Sequence, residues 1–410
     1  MNGTYISRRN CIKLFGTSGV ISILGLSGLN LAGCASTKSN SSQTGAFKLG
    51  STGPITGAAA IYGASTKQGA LVAIDEINKA AGSIKFDLNY QDDENDAEKT
   101  VNAYNNLKDW GMQIFVGATT TTSSIAVSSE ANSDNMFMLT PSSSGTDVIG
   151  GQPDAGGNVS VQRKKNVFQM CFTDPNQGSA SAQYIADKKL ATKIAVLYNN
   201  SDVYSTGVYK KFMVKAKELG LTVVVETSFT DDSATDFSVQ LNKAKDAGAD
   251  FLFMPMYYQP ASLVLTQAKT MGYAPQFFGV DGLDGLLTLE GFDTSLAEGV
   301  MLLTLFTADA TDEKTKTFVK TYKEQYGSVP TQFAADAYDA VYVVKKAIEK
   351  SGVTPDMDAK TICDKLIGAI TASDFSYDGL TGTGMTWSDT GEVSKKPKGM
   401  VIKNGAYVGM

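Results

Sequence analysis

Two short runs of hydroxyl residues stand where the chain leaves an apolar stretch. Gly117-Ala118-Thr119-Thr120-Thr121-Thr122-Ser123-Ser124 follows Ile114-Phe115-Val116, and Thr140-Pro141-Ser142-Ser143-Ser144-Gly145 follows Met136 to Leu139. The first run opens a helix over 122–132. The N–H groups at a helix start lack intrahelical partners and the helix dipole favours negative charge, so hydroxyls and N–H groups there can hold a carboxylate. Ser and Thr are also common N-caps, so either run read alone fits plain capping as well. Two such runs at consecutive strand ends of one sheet favour an anion site. A third junction, Asp281-Gly282-Leu283-Asp284-Gly285 after Phe277 to Val280, offers a carboxylate that could hold an ammonium group or cap the next helix. Tyr62, Tyr204, Tyr257 and Tyr258 lie at or just past other strand–helix junctions. Aromatic rings there can wall a ligand by stacking and apolar contact, or simply pack.

Other chemistries are poorly served. The chain has no histidine, which removes Ser-His-Asp triads, Cys-His pairs and His-ligated metals. The cysteines Cys11, Cys34, Cys171 and Cys363 show no metal-ligand spacing, so neither a metal nor a cofactor is expected. Cys171 and Cys363 fit a disulfide in an oxidising compartment or two buried thiols. The turn Ser51-Thr52-Gly53-Pro54-Ile55-Thr56-Gly57 lacks the spacing of a dinucleotide loop, and Pro54 removes a donor from it. A net charge of −6 and a pI near 5.0 exclude a nucleic-acid partner.

The elements that must position these residues alternate. Strands are expected at 47–50, 86–90, 114–116, 136–139, 194–198, 223–226, 251–254, 277–280 and 300–306. Helices are expected between them, and two more at 312–326 and 333–350, with a Gly-rich β-tail over 375–410. Residues 145–165 read as a long loop. Repeated strand–helix units make parallel sheets covered by helices on both faces, and 410 residues are enough for two such domains. In open α/β sheets ligands bind beyond the carboxyl ends of strands, where the candidate residues stand.

The N-terminus reads as an address. Arg8 and Arg9 precede an apolar stretch from Leu14 to Ala32, the pattern of a secretory signal over 1–33. Leu31-Ala32-Gly33-Cys34 resembles the bacterial lipobox, which implies lipid on Cys34 and a protein held to the outer face of a bacterial membrane. Ser7-Arg8-Arg9-Asn10-Cys11-Ile12-Lys13 resembles a twin-arginine export motif and equally fits an ordinary secretory start. Residues 34–45 read as a flexible tether.

The remaining chain resembles a known family. Gly50 to Gly57 (GSTGPITG), Tyr62-Gly63, Asp75-Glu76-Ile77-Asn78, Tyr90-Gln91-Asp92-Asp93, Phe137 to Ser144 (FMLTPSSS), Phe168 to Gly178 (FQMCFTDPNQG) and Phe333 to Val341 (FAADAYDAV) occur in the order and spacing of the type I periplasmic binding proteins of the leucine/isoleucine/valine-binding group. The resemblance implies an α/β fold of two doubly wound parallel-sheet lobes joined by three crossover segments. Lobe one would be 46–170 plus 304–378, and lobe two 172–302 plus 380–410. It implies a monomeric binding protein, not an enzyme, that takes an amino acid between its lobes and hands it to ABC permease subunits. The carboxylate clamp falls on Thr121 with Thr120 and on Ser142, Ser143 and Ser144; the ammonium partner falls on Asp281; Tyr62, Tyr204, Tyr257 and Tyr338 complete the wall. Ser143 where Ala is common, a long 145–165 loop and Asp336 in a usually apolar helix depart from the family. An amide, urea or aromatic-acid ligand, or a sensor using the same clamp, are the alternatives.

Overall fold

The computed structural model describes residues 45–152 and 159–410. The signal, lipobox and tether readings lie outside the described residues, apart from Gly45, as does the middle of the 145–165 loop.

Alternation of apolar runs and amphipathic stretches builds the first half as β1 (Phe47–Gly53), α1 (Ala60–Lys79), β2 (Phe86–Asp92), α2 (Ala97–Trp110), β3 (Ile114–Phe115), α3 (Thr121–Asp134), β4 (Met138–Thr140), α4 (Thr146–Ile149) and β5 (Val167–Gln169). These five strands form one parallel sheet in the order β2-β1-β3-β4-β5. Local signals set the element ends. Asp96 accepts from Lys99 N–H at 2.9 Å to start α2, and Gly111 ends it at φ 90°, the left-handed stop that glycine takes without strain.

The chain then crosses to a second half: α5 (Asp174–Lys188), β6 (Ile194–Asn199), α6 (Val203–Glu218), β7 (Val223–Phe229), α7 (Ser238–Asp246), β8 (Phe251–Met254), α8 (Tyr258–Thr270), β9 (Gln276–Gly279) and β10 (Met301–Thr304). It returns through α9 (Glu313–Tyr326), α10 (Gln332–Ser351) and α11 (Ala359–Ile370) to the first half, and ends in the hairpin β11 (Lys398–Lys403) and β12 (Ala406–Gly409) on the second. The second sheet runs β12-β11-β10-β9-β8-β6-β7, parallel except for the β10–β11 and β11–β12 pairs. The halves are thus linked by three crossovers: after β5, after β10 and before β11.

Both sheets are doubly wound. Leu49, Ile114, Leu139 and Phe168 pack under α1, α9, α10 and α11, while Phe115, Met138 and Val167 pack under α2, α3 and α4. In the second half α5 and α6 cover Val196 and Phe253, and α7 and α8 cover Leu197 and Leu252. Strands buried on both faces lose the polar/apolar alternation of a half-exposed strand; all four residues of β8 are buried. A Cβ on Gly69 of α1 would fall 1.9 Å from the Ala334 carbonyl oxygen, so glycine there is what lets α10 lie against α1.

The structure adds and corrects elements. β5, α5 and α11 go unread in the alternation, and the 145–165 segment contains α4. The stretch from 380, expected with the second lobe, first covers the other core: Leu380, Met385, Trp387 and Val393 pack with Phe168 and Ile370. It has the β character of isolated bridges, Tyr377 to Met385 and Trp387 to Val393, before the hairpin begins. Its apolar side chains follow no period that would assign them to a sheet. Cys171, in the first crossover, and Cys363, on α11, are buried free thiols.

Candidate ligand-binding site

Between the halves lies a small cavity. It is lined by Thr119, Thr120, Thr121, Ser142 and Ser144 from the strand ends of the first sheet, by Tyr204, Tyr257, Asp281 and Gly282 from those of the second, and by Tyr62 and Phe333.

The first-sheet rim is the start of α3. Its N-cap, Thr120, makes no side-chain cap bond, and Thr120 Oγ1 and Ser124 Oγ are buried without a hydrogen-bond partner. The loops behind are tied in place: Thr140 Oγ1 donates to the Ala118 carbonyl at 2.6 Å, Ser142 Oγ to the Thr119 carbonyl at 2.7 Å, and Thr119 Oγ1 lies 3.0 Å from Thr66 Oγ1. The result is a fixed, uncharged, donor-rich corner whose dipole favours an anion.

The opposite rim centres on Asp281, which is 4% exposed. Tyr204 O–H donates to its Oδ1 at 2.7 Å and Gln177 Nε2 to its Oδ2 at 2.8 Å. Burial pushes its carboxyl up to about 7; the bonds from Tyr204 and Gln177 pull the other way and nearby Asp336 adds to the rise. A buried carboxylate held by neutral donors has room in its energetics for a cation. Aromatic rings close the space. Tyr204 stacks on Tyr257 with centroids 5.2 Å apart, and Tyr62 meets Tyr257 edge-on at 5.2 Å and Phe333 at 4.4 Å. Desolvation raises the Tyr62, Tyr204 and Tyr257 phenols well above their ordinary range, so they are neutral donors. Tyr62 O–H donates to the Gly282 carbonyl at 2.5 Å, joining the two halves across the cavity.

Eight of the ten candidate side chains therefore meet in one place. Two do not. Tyr338 packs against Phe318 and Tyr342 in the first core, its O–H donating to Glu76 Oε2 at 2.7 Å. The reason is helix phase: Phe333 faces the cleft, and five residues on the side chain has turned about 140° away. Ser143 lies between two lining residues and falls outside the lining; its N–H donates to Thr140 Oγ1 and its own Oγ has no partner. Thr119, Gly282 and Phe333 join the lining unread, and Gln177 joins behind Asp281. Phe333 stood at the head of a quoted motif, and hydroxyl-run continuity marked Thr119. Asp336, on α10, forms a buried ion pair with Lys395 at 2.8 Å.

A family model described as periplasmic binding protein matches residues 46–405. The chain belongs to the periplasmic binding protein family. It is a type I member and a solute-binding protein rather than an enzyme, of a family that works outside the cytoplasm. A leucine-, isoleucine-, valine-, threonine- and alanine-binding protein of Pseudomonas aeruginosa is 29% identical over 308 residues, covering 75% of this chain and 79% of its own. A Leu/Ile/Val-binding protein homolog 3 of Brucella melitensis is 29% identical over 370 residues, 88% and 93% of the two chains. The crystal structure of a leucine binding protein from Thermotoga maritima superposes with a TM-score of 0.76 at 26% identity, over 89% of this chain and 97% of that one. A Rhodopseudomonas palustris binding protein in complex with benzoate shares the fold at 16% identity and a TM-score of 0.76, over 89% and 96%.

Proposed function

We propose that this chain is the substrate-binding lipoprotein of an ABC importer, anchored through lipid on Cys34, and that it captures an amino acid with an apolar side chain of branched-chain size. The observation that carries the reading is the pairing of opposite chemistries in one small cavity: a dipolar, hydroxyl-lined helix start at Thr120–Thr121 and a buried carboxylate at Asp281. An α-amino acid presents the complement, a carboxylate and an ammonium on one carbon. Both contacts are charge-assisted, and excluding water strengthens them. The ammonium would return Asp281 toward its ionised form. Tyr62, Tyr257 and Phe333 would then cover the side chain with apolar ring surface.

Capture works by a hinge. The two halves close over the ligand through the three crossovers, and the ligand favours the closed population because only there does it touch both rims. The permease would read the closed shape. The relatives named for leucine, isoleucine and valine support this ligand class.

An aromatic acid would fit the rings and the α3 corner but would leave Asp281 without a cation, able to bind only as the neutral acid. The test is a melting-temperature series on refolded protein against the proteinogenic amino acids and benzoate. Leucine, isoleucine or valine should raise it, as any ligand of the folded state must. A rise with benzoate and none with any amino acid would overturn the amino-acid reading.

A further inference from the structure

The helix starts in this chain fall into two groups. α2, α6, α9 and α11 each carry their own cap: Asp96, Asp202, Asp312 and Asp358 accept from a first-turn N–H of the helix they begin. α1, α3, α4, α5, α7, α8 and α10 have N-caps that make no side-chain cap bond. Four of these seven, α1, α5, α8 and α10, are capped from the facing half. Ile61 N–H of α1 donates to Tyr258 Oη at 3.2 Å, and Tyr258 N–H of α8 donates to Tyr62 Oη at 3.2 Å, a reciprocal exchange between two helices of different halves. Asp174 N–H of α5 donates to the Ser144 carbonyl at 2.9 Å. Gln332 N–H of α10 donates to Asp284 Oδ2 at 2.6 Å. Of the other three, α4 is a single turn, α7 is served from its own half, where Ser238 N–H donates to Asp236 Oδ1 at 2.9 Å, and α3 is the helix whose start lines the cavity.

We propose that these exchanged caps hold the cleft closed, with Asp284 as the principal positioning residue and the start of α3 left for the ligand. The mechanism follows from the bonds. First-turn N–H groups are unsatisfied donors, and a side chain that accepts from one stabilises the helix. Here the acceptor sits on the other half, so the stabilisation exists only while the halves touch. Asp284 contributes most because its acceptor is a carboxylate at the positive end of a 20-residue helix. Gln332 extends the effect to the hinge: its Oε1 accepts from Thr304 Oγ1 at 2.7 Å and from Leu305 N–H at 3.1 Å, in the second crossover. The assignment of α3's open start to the ligand rests on the amino-acid reading above; the exchanged caps do not.

The test is amide hydrogen exchange on the full chain without added ligand, following two peptides, one containing Ile61 and one containing Gln332. In Asp284→Ala exchange should rise about five- to tenfold in both, since losing one cap opens all of them together. Asp284→Asn, which keeps an acceptor oxygen, should stay near the parent. Tyr258→Phe should speed the Gln332 peptide in return. Acceleration confined to the Gln332 peptide in Asp284→Ala, in protein whose melting shows it folded, would reduce Asp284 to a local cap and overturn the proposal, as would no change in either variant. Added L-leucine should slow both peptides in the parent. Its failure to do so would count against the amino-acid ligand and leave the exchanged caps standing.

Discussion

The first half meets the cleft with uncharged groups: N–H donors, threonine and serine hydroxyls, and the Tyr62 and Phe333 rings. The second half brings carboxylates: Asp281 in the cavity, Asp284 beside it and Asp174 at the start of α5, each buried and each raised above the ordinary carboxyl range chiefly by desolvation. The same strand-end geometry in both sheets thus produces rims of opposite electrostatic preference. What differs is the residue that follows the strand. Threonines after β3 leave helix N–H groups open to an anion, whereas Asp281 after β9 presents an acceptor to a cation. A dipolar ligand binds in one orientation because the rims are not interchangeable.

Removing the charge from the acidic rim should do most to break this contrast. Asp281→Asn should weaken L-leucine binding roughly a hundredfold by calorimetry, as expected for one member of a buried charge pair. A loss under threefold would take Asp281 out of the ligand contact. The same group predicts opposed pH trends. Its ordinary value is 3.8 and its value in the fold about 7, so its contribution to the stability of the ligand-free protein is complete below about pH 4 and is lost as pH rises through about 7. Affinity for an ammonium should climb over that same window, as Asp281 ionises. Asp284, at about 7, and Asp336, at about 6, add to the stability trend in the same direction. Melting curves and leucine titrations from about pH 4 to about pH 8 should therefore move oppositely, and Asp281→Asn should flatten the affinity trend.

On the apolar side, Phe333→Ala should cost roughly ten- to thirtyfold in leucine affinity, the usual effect of truncating a buried aromatic contact. Thr120→Val tests the neutral rim. It removes an oxygen that has no partner within the protein, so the expected loss is one hydrogen bond to the ligand, about fivefold by titration. The smallest effect belongs to Tyr338→Phe: affinity within about twofold of the parent and a stability loss of about 1 kcal/mol by denaturant melting, from the lost bond to Glu76.

Tyr338 also marks where sequence reading stops. The strands and the residues just past them were legible because apolar runs and glycine breaks are local, and most of the site sits at those breaks. Which face of α10 looks into the cleft is decided by how α10 lies on α1, and that depends on the Gly69–Ala334 approach rather than on any residue of the FAADAYDAV stretch. Ser143 failed for a similar reason, since neighbouring residues of an extended segment point opposite ways. Gln177 lies on α5, whose small polar residues carry too weak a period to be read. The placement of 380–397 was out of reach because long-range bonds anchor it: Trp387 Nε1–H donates to the Gln169 carbonyl at 2.8 Å, Gln169 N–H to the Gly391 carbonyl at 2.9 Å, and the Leu380 and Thr381 N–H groups to the Asp339 carboxylate.

The late return of the chain to its first sheet bears on how the molecule comes into being. α1 and β1 are made early, yet the face they share is covered by α9, α10 and α11 and then by Met385 and Trp387. The second sheet likewise waits for β11 and β12 to complete its edge. Neither half can seal its interior from a contiguous piece of chain. A polypeptide emerging N-terminus first, from a ribosome or through a membrane, keeps apolar surface of both halves open until the residues from Met385 to Gly409 appear, and then both interiors can close nearly together.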